Sequence, residues 1–192
     1  MLKEINLLLI LMILLSTGDL SESTKEQFEC LLENNKYSDE FLYSNKANDV
    51  FTISFHNMNM LKWTLTQLTG AFDQYTIRYV ATNEYLCATD FFEESLQLQD
   101  ITNDVIKKRL IQTRKMSDKN TKIDNDCIWR FERTHTNKGF MAYFIWNVYY
   151  NESLYAASYL YLNPNKKLRK TFLLNKMSKK MNEFKWIPEC NY

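Results

Sequence analysis

The chain has 192 residues, with 24 Lys and Arg against 23 Asp and Glu, for a formal net charge of +1. Such a balance argues against bulk electrostatic binding to nucleic acid, and the length suits one domain with enough chain to bury a real core. After residue 18 the only glycines are Gly70 and Gly139, while asparagine occurs 18 times. Asparagine tolerates left-handed backbone, so it can supply the turn chemistry that glycine usually supplies.

Residues 1–18 read as a signal peptide. Lys3 gives a positive start, and an unbroken apolar run of nine residues follows from Leu7 to Leu15. Ser16 and Gly18 then place small residues before a cleavage site after Gly18. The run is shorter than the roughly 20 residues that a membrane span requires. The expectation is therefore an exported, extracellular protein without a membrane span, residues 19–192 forming one domain.

Along that domain a short motif occurs three times: Asp39-Glu40-Phe41-Leu42-Tyr43, Asn83-Glu84-Tyr85-Leu86-Cys87 and Asn151-Glu152-Ser153-Leu154-Tyr155. A strand is predicted before each copy, over Phe28–Leu32, Tyr75–Val80 and Tyr143–Val148. A second strand ending in methionine follows (Phe51–Met58, Leu110–Met116, Thr171–Met177), and Trp63, Trp129 or Trp186 then opens a last strand. Enrichment in aromatic and β-branched residues agrees with strands. Three such units bury their apolar faces by closing around a pseudo-three-fold axis, which also limits exposed sheet edges. The predicted fold is an all-β β-trefoil with two disulfides and a long insertion in the second repeat. A β-sandwich also suits many short strands, but it gives no reason for three-fold repetition. Within the insertion, Phe91–Ile106, the spacing of Leu98, Ile101 and Val105 is helical, so a short surface helix or a mobile loop is expected there.

Cys30, Cys87, Cys127 and Cys190 are even in number, as expected for disulfides in an exported chain. Spacing alone allows three pairings. In a closed trefoil the first and last strands are neighbours, which pairs Cys30 with Cys190 and leaves Cys87 for Cys127. No zinc-type spacing is present and the histidines are His56 and His135, so no metal or cofactor is expected. There is no Gly-x-Ser-x-Gly, no His-Glu-x-x-His and no phosphate-binding glycine loop, and no catalytic residue is assigned. Glu40, Glu84 and Glu152 are expected to stabilise their turns.

The candidate binding residues are Lys166, Lys167, Arg169 and Lys170, with Arg114, Lys115, Lys119 and Lys122 in the corresponding stretch of the second unit. Adjoining loops of this kind would focus a positive field on sulfated glycans, phospholipid headgroups or nucleotides. A solvated lysine-rich loop is the plainer use of the same residues. Asn151-Glu152-Ser153 is a glycosylation sequon, with Asn151 in a hairpin turn.

The segments Tyr143–Ser158, Lys166–Phe172 and Phe184–Ile187 together resemble secreted insect β-trefoil proteins of the mosquito salivary and haemolymph type. They are also similar to the trefoil domain of lepidopteran 30-kDa lipoproteins. The resemblance implies a secreted insect binding protein, not an enzyme, engaging a host or circulating ligand such as an anionic glycan or lipid. A monomer is expected. Two alternatives share the fold: a lectin-like module for anionic sugars, and a trefoil-type protease inhibitor. The Gln-x-Trp of ricin-type lectins is missing, since Leu61, Cys127 and Phe184 stand two residues before the tryptophans. No inhibitory loop motif matches either.

Overall fold

In a computed structural model of the chain, residues 26–54, 58–94, 107–116, 123–158, 168–175 and 181–191 are described. The predicted signal peptide, His56, Lys166 and Lys167 lie outside them. Among the described residues, twelve strands follow in three sets of four. The first set is β1 (Gln27–Asn34), β2 (Phe41–Ser44), β3 (Val50–Ile53) and β4 (Trp63–Leu68). The second is β5 (Ala71–Tyr79), β6 (Glu84–Glu94), β7 (Lys107–Arg114) and β8 (Ile128–His135). The third is β9 (Met141–Asn147), β10 (Glu152–Ala156), β11 (Arg169–Leu174) and β12 (Lys185–Asn191).

Antiparallel pairing in the order β1-β4-β5-β8-β9-β12 returns to β1, so six strands close a barrel. The hairpins β2–β3, β6–β7 and β10–β11 cap one end, where β11 pairs with both β3 and β7. This is the β-trefoil that the repeat predicts.

The repeated residues do equivalent work in each unit. Leu42, Leu86 and Leu154, and Trp63, Trp129 and Trp186, are all 0% exposed. A buried indole needs an acceptor for its N–H. Each tryptophan Nε1 donates to the carbonyl of its own repeat's leucine, at 3.0, 2.8 and 3.2 Å. These bonds span 21, 43 and 32 residues of chain, so the loops vary while the joint stays fixed.

A second triplet ties the repeats together. Just before each tryptophan lies a 3₁₀ turn: Met58–Leu61, Asn125–Cys127 and Asn182–Phe184. Tyr79 donates its hydroxyl to the Met60 carbonyl, Asn147 its amide to Asp126, and Asn34 its amide to Glu183. Each acceptor stands three residues before a tryptophan, and each donor belongs to the following repeat. Leu61, Cys127 and Phe184, at the position where ricin-type lectins carry glutamine, are buried plugs of these turns. In the hairpin turns themselves, Asp39, Asn83 and Asn151 adopt φ of 63°, 60° and 52°, the left-handed conformation that Asp and Asn accept most readily among non-glycine residues.

Cys30 faces Cys190 across the β1–β12 ladder, and the two are bridged, as are Cys87 and Cys127. The second bridge occupies the place of an aromatic contact in the third repeat, where the rings of Tyr155 and Phe184 lie 4.9 Å apart.

The insertion opens as strand: β6 continues through Phe91–Glu94 against β7, with a register shift between Ala88 and Phe92. The helical spacing of Leu98, Ile101 and Val105 lies outside the described residues. One expectation is corrected: Met58 and Met116 do not end strands. β3 stops at Ile53 and β7 at Arg114, Met58 opens a 3₁₀ turn, and Met177 is outside the described residues.

Candidate functional site

The two described members of the basic run are directed inward. Arg169 Nε donates to Glu40 Oε2 at 2.8 Å, its Nη1 donates to the Ser158 carbonyl at 2.9 Å, and its guanidinium lies 3.7 Å from the Tyr37 ring centroid. Glu40 also accepts from the Thr52 hydroxyl. Lys170 Nζ donates to Glu93. Burial pushes the Tyr37 hydroxyl up to about 12, against the lowering pull of Arg169.

The same clamp recurs one repeat away. Arg109 Nε donates to Glu152 Oε2 at 2.6 Å and its Nη1 to the Thr89 carbonyl at 2.9 Å. The guanidinium lies 3.5 Å from the centroid of Tyr150 and 4.4 Å from that of Phe92. Tyr150 in turn donates to Asp90, and that bond, with burial second, pushes its hydroxyl up to about 12. Both ion pairs are nearly buried, with side-chain exposures of 13% and 4% for Arg169 and Glu40, and 10% and 12% for Arg109 and Glu152. At the remaining seam the arginine position falls on Asn48, and hydroxyls take over. Thr113 donates to Glu84 at 3.1 Å and meets Ser44 at 2.8 Å. Glu40 and Glu152 therefore join repeats, while Glu84 accepts from Thr82 and Thr113 of its own repeat.

In the second basic stretch, Arg114 bonds Asp124 at 2.9 Å and Asp126 at 2.7 Å. Asp124, Asp126 and Cys127 lie close together, but Cys127 is bridged to Cys87 and both carboxylates engage Arg114. Lys119 and Lys122 are outside the described residues. Asn151 is exposed at its turn, while the Ser153 hydroxyl of the sequon is buried and donates to the Ile145 carbonyl at 3.5 Å.

The open end of the barrel, opposite the hairpin cap, holds a recess. Along a strand every second side chain faces inward. Two residues beyond the core residues Ile77, Trp129 and Ile145, that alternation places Tyr75, Phe131 and Tyr143. Together with Phe28, Leu65 and Pro188 they line a cavity of about 270 Å³, with the Cys30–Cys190 bridge in its wall. Tyr75 and Phe131 meet edge-on at 5.2 Å, as do Phe131 and Tyr143 at 5.9 Å. The Tyr75 hydroxyl is pushed upward by burial first, then by the negative charges of Glu26 and Asp73 among its neighbours. The predicted site residues did not include this ring of aromatics. The aromatic two places from each core residue was the available signal.

A second, polar cleft of about 330 Å³ lies where the β1–β2 turn meets the β8–β9 hairpin. Glu33, Asn35, Asn137, Asn182 and Phe140 line it. The Phe140 ring is 65% exposed, and the Asn182 amide oxygen is buried and accepts no hydrogen bond from the protein. Glu33 accepts from the Asp39 backbone N–H at 2.9 Å.

No protein-family model matches the chain, and no curated protein is significantly similar to it. Solved structures resemble it in fold. The SDF2-like protein from Arabidopsis thaliana is 10% identical with a TM-score of 0.63, over 86% of this chain and 93% of that one. The designed three-fold symmetric protein ThreeFoil is 11% identical with a TM-score of 0.54, over 83% and 96%. A lectin from Polyporus squamosus, solved with the epitope Neu5Aca2-6Galb1-4GlcNAc, is 10% identical with a TM-score of 0.58, over 88% of this chain and 50% of that one. At these identities the likeness establishes the β-trefoil fold. Among the described residues no helix is long and apolar enough to cross a membrane.

Proposed function

We propose that the chain is an exported, monomeric, non-catalytic protein that binds a small ligand in the open mouth of its barrel. The observation that supports this reading is the recess itself. In the layer below, the barrel buries its large rings completely, as at Trp63, Trp129 and Trp186, each 0% exposed. Around the mouth, Phe28, Tyr75, Phe131 and Tyr143 stay half-buried beside open volume. That volume is close to the lower end of small-ligand pockets, about 300–1,000 Å³, which are mostly apolar with a few polar groups. The predicted signal peptide, the two disulfides and the resemblance of the last third of the chain support a secreted insect protein, salivary or circulating, with Asn151 as its glycan attachment point.

The test is titration of the secreted protein with a neutral apolar fluorophore such as N-phenyl-1-naphthylamine. One saturable site per chain is expected, lost or much weakened in Tyr143→Ala and kept in Tyr149→Ala, a substitution on the opposite end of the barrel. Equal binding by both variants would remove the mouth as the site.

A second reading, glycan binding, is favoured by the polar cleft. An exposed ring beside amides and a carboxylate is suited to a sugar's apolar face and its hydroxyls, and the Asn182 oxygen is an acceptor awaiting a donor. A glycan array at low and high salt tests it. Salt-independent binding lost in Asn182→Ala supports a neutral sugar there, and no binding to any glycan rejects it.

A further inference from the structure

The charges around the mouth define what kind of ligand it takes. Asp73 lies two residues before Tyr75, where the β4–β5 register slips from Gln67–Tyr75 to Leu68–Ala71; it is exposed at the mouth end of the strand, and its charge reaches the Tyr75 hydroxyl. Glu26, also exposed, immediately precedes β1, where its carbonyl accepts from the Gln67 backbone N–H of β4. The two carboxylates therefore flank β4 on one side of the opening. Both raise the pKa of Tyr75, as a negative potential at that hydroxyl must. Across the opening, Arg133 stands opposite Tyr143 in the β8–β9 ladder and shares its face, exposed to solvent. Among the described residues, the rim thus has an acidic side near Tyr75 and the guanidinium of Arg133 on the far side.

Aromatic rings hold negative charge on their faces and attract cations placed over them. Phe28 and Tyr75 supply such rings on the acidic side, and Phe131 and Tyr143 line the recess across from them. We infer that the mouth binds an organic cation, an amine or quaternary ammonium carried on an apolar body. The body fills the recess between Phe131 and Tyr143, and the charged head stays at the rim near Asp73 and Glu26. There it keeps part of its hydration, which spares most of the penalty of burying an unpaired charge. A carboxylate-headed amphiphile of the same shape meets two like charges for one opposite charge. An uncharged one gains the apolar contact alone.

This inference rests on the mouth reading above, and the experiment separates the two. The secreted protein is titrated calorimetrically with 4-phenylbutylamine, 4-phenylbutanol and 4-phenylbutyrate, which share one body and differ in the head. The amine is expected to bind about tenfold more tightly than the alcohol, a difference of about 1.4 kcal/mol, with the butyrate weakest. Raising salt from about 50 to about 500 mM should narrow the gap, because rim charges are screened. The double variant Glu26→Gln, Asp73→Asn should bring the amine down to the alcohol. Glu132→Gln, on the outward face of β8, should leave the preference in place. Equal affinities of amine and alcohol would overturn the cation inference and leave the mouth site standing, and so would tightest binding by the butyrate. No binding by any of the three would remove both.

Discussion

The hairpin turns depend on residues that accept a left-handed backbone. Asn151 holds φ at 52° with its backbone N–H donating to the Asn147 carbonyl. Replacing it by alanine adds the steric cost of that conformation, roughly 1–2 kcal/mol for an ordinary L residue. Asn151→Gly should be close to neutral by comparison, and urea unfolding midpoints of the two variants check this. The [Asp/Asn]-Glu pairs made these turns legible in the sequence, because so few glycines were available to do the same. The partners of the glutamates were not legible, since Arg109 and Arg169 reach them from other repeats. Glu189 is the other residue whose titration matters. It is exposed, yet its pKa is raised, first by desolvation, then by the charge of Glu33, a hydrogen bond with Glu33 and the charge of Asp39. A carboxyl raised in the folded state binds its proton more tightly there than in the unfolded chain. Its effect on stability is therefore favourable at low pH and declines as pH rises from the ordinary carboxylate range through the folded value. Glu189→Gln should flatten that decline and leave the protein slightly more stable at neutral pH. Equal pH slopes in thermal melts of wild type and variant would count against it.

At the scale of strands and hairpins, the repeat was readable because each unit carries its own Leu–Trp joint and the bond between them is local to the unit. The seams were not, because they are made of side chains from different repeats that only closure brings together. Two seams rest on arginine–glutamate pairs packed under aromatic rings and the third on hydroxyls, so the cap is less symmetric than its backbone. Removing one partner of a nearly buried pair leaves the other charge uncompensated, at a cost of about 3–5 kcal/mol. Glu152→Gln should accordingly cost more than Glu84→Gln, and adding Arg109→Met to the former should recover part of the loss. A double-mutant cycle of denaturant midpoints measures the coupling. Additive losses would show that the clamp is not a unit. The start of the insertion was not legible for a related reason: Phe91 and Phe92 extend β6 because β7 offers them a ladder, and that partner lies beyond the insertion.

Over the whole molecule, the three-fold closure predicted from the motif carried the cysteine pairing with it, since a closed barrel must set β1 beside β12. The mouth stayed hidden in the sequence. Its rings come from β1, β5, β8 and β9, and no local pattern reveals that four strands from all three repeats converge there. The bridge across β1 and β12 spans 160 residues. Loop-entropy reasoning assigns such a cross-link about 4–5 kcal/mol, less any strain. The double variant Cys30→Ser, Cys190→Ser should lose stability of that order in equilibrium unfolding, and more than the variant lacking Cys87–Cys127, whose loop is 40 residues. The same bridge changes how the protein meets proteolysis. Bridged in this way, residues 30–190 form one covalent ring, and a single cut anywhere between residues 31 and 189 opens the ring without releasing a fragment. Loss of any piece of the barrel between Cys30 and Cys190 then takes two cuts, or one cut and a reductant.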